Sequence, residues 1–132
     1  MSGRLTIEKV LGAVDAYISG VARQDREALI RLFAGTAHIT GIDEGTMVSV
    51  PRDRWIEAVC APERAGAGSL DYRITSLDVA ETVAVVVVRT FYGSFAYADV
   101  LTLLGEQDAV RVTGKTFHQY DATADQTPDL LI

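Results

Sequence analysis

The first part of the chain carries its apolar residues at helical spacing. Val10, Ala13, Val14, Tyr17, Ile18 and Val21 recur every three or four positions, which places them on one stripe of a first helix with Gly20 near its end. Asp25 predicts an N-cap for a second, shorter helix that buries Ala28, Leu29, Leu32 and Phe33, and Gly35 offers a left-handed residue to end it. From position 37 the period drops to two. Ala37, Ile39 and Gly41 alternate with His38 and Thr40 as a short strand, 43–45 reads as a turn, and 46–50 as the partner strand. Pro51 opens a third helix, where its missing N–H costs nothing, and Trp55, Ile56 and Val59 give that helix an apolar side. Residues 62–68 then form a loop.

Beyond residue 69 the pattern is that of strands. Leu70, Tyr72 and Ile74 alternate, and 83–88 is β-branched on both faces, which predicts a central strand covered on both sides. Gly93 and Ser94 mark a hairpin between 89–92 and 95–104, and 106–108 closes a second one onto 110–120. Helices followed by a run of strands mean an α+β fold. A long curved antiparallel sheet needs its inner face covered, and the N-terminal helices are the material available. The expected object is a sheet wrapped round those helices as a half-open cone. It forms one domain over 1–120, with a polar, loose tail over 121–132.

Composition narrows the partners. With 132 residues, 48% of them hydrophobic and 23% charged, the chain holds one ordinary core and is no disordered scaffold. A net charge of −6 argues against a nucleic-acid backbone or an anionic membrane as the main partner. Cys60 is alone, so no intramolecular disulfide forms, and in its apolar stretch it reads as a small buried hydrophobe. Residues 1–9 lack the apolar core of a signal peptide and 83–88 is too short to span a bilayer, so a cytoplasmic protein is expected. No histidine or cysteine spacing suggests a metal. No phosphate loop, nucleophile elbow or dinucleotide fingerprint suggests a cofactor.

A few side chains carry candidate chemistry. Asp99 shares strand parity with Phe95, Tyr97, Leu101 and Leu103, so its carboxyl projects from an apolar face and must find a donor or neutralise. The competing readings are a pair with Arg89, or a wet face with the parity inverted. Tyr17, on the buried stripe of the first helix, is either a polar contact for a ligand or core packing with a satisfied hydroxyl. His38 and His118 are the only histidines; each is a candidate general base or else a polar edge residue. Trp55, Tyr72, Phe95, Tyr97 and Leu101, with Phe91, Tyr92 and Phe117, are candidates to line a pocket for a flat ligand, the alternative being plain core. Arg89, Arg111 and Lys115 are expected on the outer face of the sheet.

The run Tyr17-Ile-Ser-Gly-Val-Ala-Arg-Gln-Asp25, followed by Leu29, Leu32-Phe33-Ala34 and Ala37, resembles the opening of the nuclear transport factor 2-like superfamily. That superfamily includes ketosteroid isomerase, scytalone dehydratase and SnoaL-like polyketide cyclases. Tyr97-Ala-Asp99-Val-Leu-Thr-Leu-Leu104 and Val110-Arg-Val-Thr-Gly-Lys115-Thr-Phe117 are similar to its putative lumazine-binding family, although Val110 stands where members commonly carry Trp. The resemblance implies the cone, a homodimer through the outer sheet face and a small apolar or aromatic ligand. It places Tyr17 and Asp99 where ketosteroid isomerase keeps its oxyanion-binding tyrosine and protonated aspartate. It also places the isomerase's proton-shuttling aspartate at Gly41, which abstracts nothing, while Asp43 and Glu44 sit in a turn expected outside the pocket. A steroid-isomerase mechanism is therefore disfavoured. Three functions stay open: a small-molecule-binding domain, a SnoaL-like cyclase, isomerase or lyase acting on a carbonyl compound, and a non-catalytic interaction module with a filled cone.

Overall fold

Helix α1 (Ile7–Ala22) starts where the Thr6 side chain accepts the Lys9 backbone N–H at 3.1 Å, and it buries the stripe Val10, Ala13, Val14, Tyr17 and Ile18. The structure, a computed structural model, describes residues 3–121, so the tail expected beyond Asp121 lies outside the described residues. Helix α2 (Arg26–Leu32) is capped by Asp25, which accepts the Ala28 N–H at 3.1 Å. Gly35 does not end this helix. Phe33 is already extended (φ −88°, ψ 129°) because strand β1 (Phe33–Asp43) begins there, with Phe33 in register with Val112 of the last strand. Strand β2 (Thr46–Pro51), helix α3 (Arg52–Val59) and a 3-10 turn at Pro62–Arg64 follow. Then come β3 (Arg73–Ala80), β4 (Val83–Tyr92), β5 (Phe95–Glu106) and β6 (Ala109–Asp121).

The strands form one sheet in the order β2-β1-β6-β5-β4-β3. Neighbours are antiparallel except β1 and β6, which run parallel, so the last strand slots between the first hairpin and the meander. The sheet is curved and unclosed, and the three helices cover its concave side. Leu29, Phe33, Ile39, Ile56, Val86, Leu101 and Leu103 meet there fully buried. Burying each such side chain is worth about 1.5–3 kcal/mol, so this interior fixes which way the sheet curls.

Two departures from simple alternation matter for the site. Ala84, Val86 and Val88 are buried, but Val83 and Val85 are 49% and 36% exposed, so the valine run is covered on one face only. In β6, Leu103 pairs with Val112 and Thr102 with Gly114, which leaves Thr113 as an extra residue. That bulge inverts the alternation, and Val112 and Lys115 both turn inward. Cys60 is the C-cap of α3 and only half-buried, and burial raises its thiol pKa. No helix among the described residues is long and apolar enough to cross a membrane.

Candidate functional site

The helices do not fill the cone. A cavity of about 390 Å³ remains between α1, α3 and the concave sheet, within the usual range for small-molecule sites. Its walls include Tyr17, Ile18, Ile39, Val50, Trp55, Tyr92, Tyr97 and Phe117, and the charged side chains Asp43, Arg54, Glu57 and Arg64 also border it. Trp55, Phe33 and Tyr17 pack as one aromatic cluster, with ring centroids 4.8 Å apart for Phe33–Trp55 and 6.2 Å for Tyr17–Trp55.

Helix α1 and strand β5 together position the polar heart of the site. Tyr17 reaches across from its buried stripe and donates its hydroxyl to Asp99 Oδ2 at 2.6 Å. The Thr90 hydroxyl on β4 donates to the same oxygen at 3.2 Å. Asp99 is fully buried, and its other oxygen, Oδ1, has no partner. Burial, and then the negative charge of Asp99, hold the Tyr17 hydroxyl well above the ordinary phenol pKa, so Tyr17 is a neutral donor. Asp99 itself does not line the cavity, whereas Tyr17 and Thr90 do. The carboxylate thus stands behind the wall and fixes the phenol that forms it.

Lys115 is the residue the sequence pattern misplaced. It is 8% exposed and lines the cavity, with Nζ 4.6 Å from the Trp55 ring centroid, 5.1 Å from Tyr17 and 5.5 Å from Phe117. Burial lowers its pKa, and the Asp99 charge opposes that shift. The reason for the error is the bulge at Thr113, which flips every side chain after it relative to a two-residue count from Val110. Two signals pointed to it: Gly114 inside a strand, a common mark of a bulge, and the near-absence of lysine elsewhere in the chain.

The other sequence candidates divide. Trp55 and Tyr97 line the cavity; Tyr72, Phe95 and Leu101 do not, because Tyr72 precedes β3, Phe95 sits at the β4–β5 turn, and Leu101 is sealed in the core. Tyr97 accepts a hydrogen bond from Gln119 at 3.2 Å, and burial raises its pKa. Tyr92 lines the cavity and keeps its hydroxyl buried without a partner. His38 and His118 are both exposed and absent from the cavity wall, with His118 edge-on to Tyr120 at 4.6 Å. Asp43, expected outside, borders the cavity and accepts from Gln119 at 2.8 Å, because it shares the parity of Ile39 and Gly41 on β1. Arg89 lies on the outer face but is buried against Tyr120, its guanidinium 4.9 Å from that ring. Arg111 stays half-buried and donates to the Arg31 carbonyl.

Gly41 has a steric reason to be glycine. A Cβ there would stand 2.6 Å from the Phe117 ring and closer still to the Phe117 carbonyl oxygen. Phe117 therefore covers the position where the isomerase resemblance would put a proton-shuttling acid. Among the described residues no cluster of His, Cys, Asp or Glu is arranged to hold a metal.

Comparison with known proteins agrees with this architecture. A family model described as putative lumazine-binding matches residues 6–118. An NTF-2 like protein of unknown function from Silicibacter pomeroyi superposes with a TM-score of 0.78 at 28% identity, covering 86% of this chain and 94% of that one. An NTF2-like protein of unknown function from Methylobacillus flagellatus gives a TM-score of 0.73 at 21% identity, covering 91% and 98%. A ketosteroid isomerase-like protein from Erwinia carotovora gives 0.64 at 16% identity, covering 86% and 95%, a likeness of fold. No curated protein matches the chain.

Proposed function

Because the chain belongs to the putative lumazine-binding family within the nuclear transport factor 2-like superfamily, we propose that it is a small-molecule-binding domain whose cone takes one flat, largely apolar ligand. Trp55, Tyr97 and Phe117 would sandwich the ligand, and Tyr17 and Lys115 would make its polar contacts, with Asp99 holding Tyr17 in place. The observation that carries this reading is the open cavity of about 390 Å³ whose wall mixes aromatic rings with a buried phenol and a buried amine. It favours a ligand over the filled cone of an interaction module. Catalysis by a histidine finds no support, since both histidines lie outside the cavity.

Trp55 is the sole tryptophan and borders the cavity, so its fluorescence reports occupancy. Titration with lumazine, a flat bicyclic heteroaromatic, and with 2-methylnaphthalene should quench Trp55 saturably, whereas saturated decalin should bind more weakly. Unquenched fluorescence with every flat probe would refute the reading.

A second copy of the chain is the proposed partner, paired through the outer sheet face. Val83, Val85 and Leu104 lie exposed there, whereas Phe91, also exposed, borders the cavity. On the same face Arg89 keeps Nε and Nη2 buried and unpartnered, an edge suited to a carboxylate of the partner copy. Light scattering at micromolar concentration should give a dimer mass, and a monomer mass would refute the pairing.

A further inference from the structure

We propose that Lys115 Nζ is a covalent anchor: an aromatic or conjugated aldehyde entering the cone condenses with this amine to form an imine. The proposal rests on the reading of the cavity as a ligand chamber and adds a reaction to it. The chain has ten arginines but only two lysines, Lys9 and Lys115, and the second is the one buried in the cavity wall. A purely electrostatic or ring-stacking role would be served at least as well by arginine, which stacks flat on aromatic faces and never gives up its charge. What lysine alone offers is an amine that can be neutral and nucleophilic.

The surroundings favour that state. Nζ lies among Tyr17, Trp55 and Phe117, and no ion pair with a described residue fixes it as an ammonium. Asp99, the acid whose charge acts on Lys115, has Oδ2 occupied by the Tyr17 and Thr90 hydroxyls, and its Oδ1 makes no hydrogen bond, to Nζ included. Desolvation raises the neutral fraction of the amine, against the opposing pull of Asp99. The same aromatic walls would hold a flat conjugated aldehyde beside Nζ, which substitutes proximity for a high solution concentration.

The condensation balances without an oxidant or metal. The neutral Nζ lone pair bonds to the carbonyl carbon, and the C=O π pair moves to oxygen, which takes one proton from nitrogen to give a carbinolamine. Loss of the hydroxyl with the second N–H proton as water forms C=N. Both hydrogens of that water come from Nζ, so the step needs no acid from the wall, and the Tyr17 proton stays in its bond to Asp99.

The full chain is incubated with 2-naphthaldehyde and sodium cyanoborohydride, which reduces the protonated imine to a stable secondary amine, and is then read by intact mass and peptide mapping. We expect one adduct per chain on Lys115, formed at least about tenfold faster than on the exposed Lys9, the kind of gain that positioning supplies. Lys115→Met should trap nothing at this site while adduct formation on Lys9 is unchanged. Quenching in the wild type without a Lys115 adduct, or adducts on Lys9 at an equal or greater rate, would overturn the covalent step and leave the ligand chamber standing. Neither quenching nor adduct would overturn both. The wild-type peptide map decides the matter even where the methionine variant does not fold.

Discussion

Removing the Tyr17 hydroxyl probes the polar heart of the cone directly. In Tyr17→Phe the ring stays, so packing against Phe33 and Trp55 is kept. Asp99 Oδ2 then loses its 2.6 Å donor and retains only Thr90 at 3.2 Å, while Oδ1 already has none. A hydrogen bond to an ionised group is worth about 1.5–3 kcal/mol net and a neutral one about 0.5–1.5, so the variant should lose about 2 kcal/mol. With a urea m-value of about 1.5 kcal/mol/M, typical for a domain this size, the unfolding midpoint falls by about 1.3 M. In an Asp99→Asn background the acceptor is neutral, and the same substitution should cost only about 1 kcal/mol, leaving a coupling of about 1 kcal/mol in the double-mutant cycle. An equal cost in both backgrounds would show that no charged acceptor holds the phenol. A cost under about 0.5 kcal/mol in the wild type would show that the bond contributes nothing measurable.

Gly41→Ala should be destabilising out of proportion to one methyl group, because the new Cβ meets the Phe117 ring at 2.6 Å and the adjacent backbone carbonyl cannot swing away. Overpacking of about 1–3 kcal/mol corresponds to a Tm lower by roughly 4–12 °C in a thermal melt, and an unchanged Tm would contradict the packing. Lys115 gives a pH signature. Its folded-state pKa lies below 10.5, so between the two values the unfolded chain binds the extra proton and stability rises with pH. The charge acting on it is Asp99 on β5, while Tyr17 on α1, whose own pKa is raised above 10.0, contributes stability that is lost only above that value. Lys115→Met should therefore hold an advantage over the wild type that narrows as pH rises towards 10.5, read from urea midpoints; a gap independent of pH would count against a perturbed amine. On the outer face, Val85→Lys should convert the dimer to a monomer by light scattering while leaving Trp55 quenching intact, and an undisturbed dimer would place the interface elsewhere.

The helices and the facing of β5 were legible because nothing interrupts their period. The stripe Val10–Val14–Tyr17–Ile18–Val21 runs unbroken, and Asp99 keeps the parity of Leu101 and Leu103 along a strand whose own alternation is continuous. Lys115 was not legible, because one extra residue at Thr113 reverses every later side chain of β6, and a period-two count cannot register an insertion that only pairing reveals. The same bulge turned His118 outward and Phe117 inward, over Gly41. The β-branched run 83–88 predicted cover on two faces, but such a run reports strand propensity as well as burial, and only its Ala84, Val86 and Val88 side is covered within the chain. Asp43 was expected outside the pocket because 43–45 reads as a turn, but it is still the last residue of β1 and keeps that strand's inward parity.

Crystals of the chain soaked with lumazine or 2-methylnaphthalene test the central claim most directly. The account predicts density for one flat molecule inside the cone, between Trp55 and Phe117 and within reach of Tyr17 and Lys115. A cone closed by its own side chains, or a probe seated only on the outer sheet face, would contradict it.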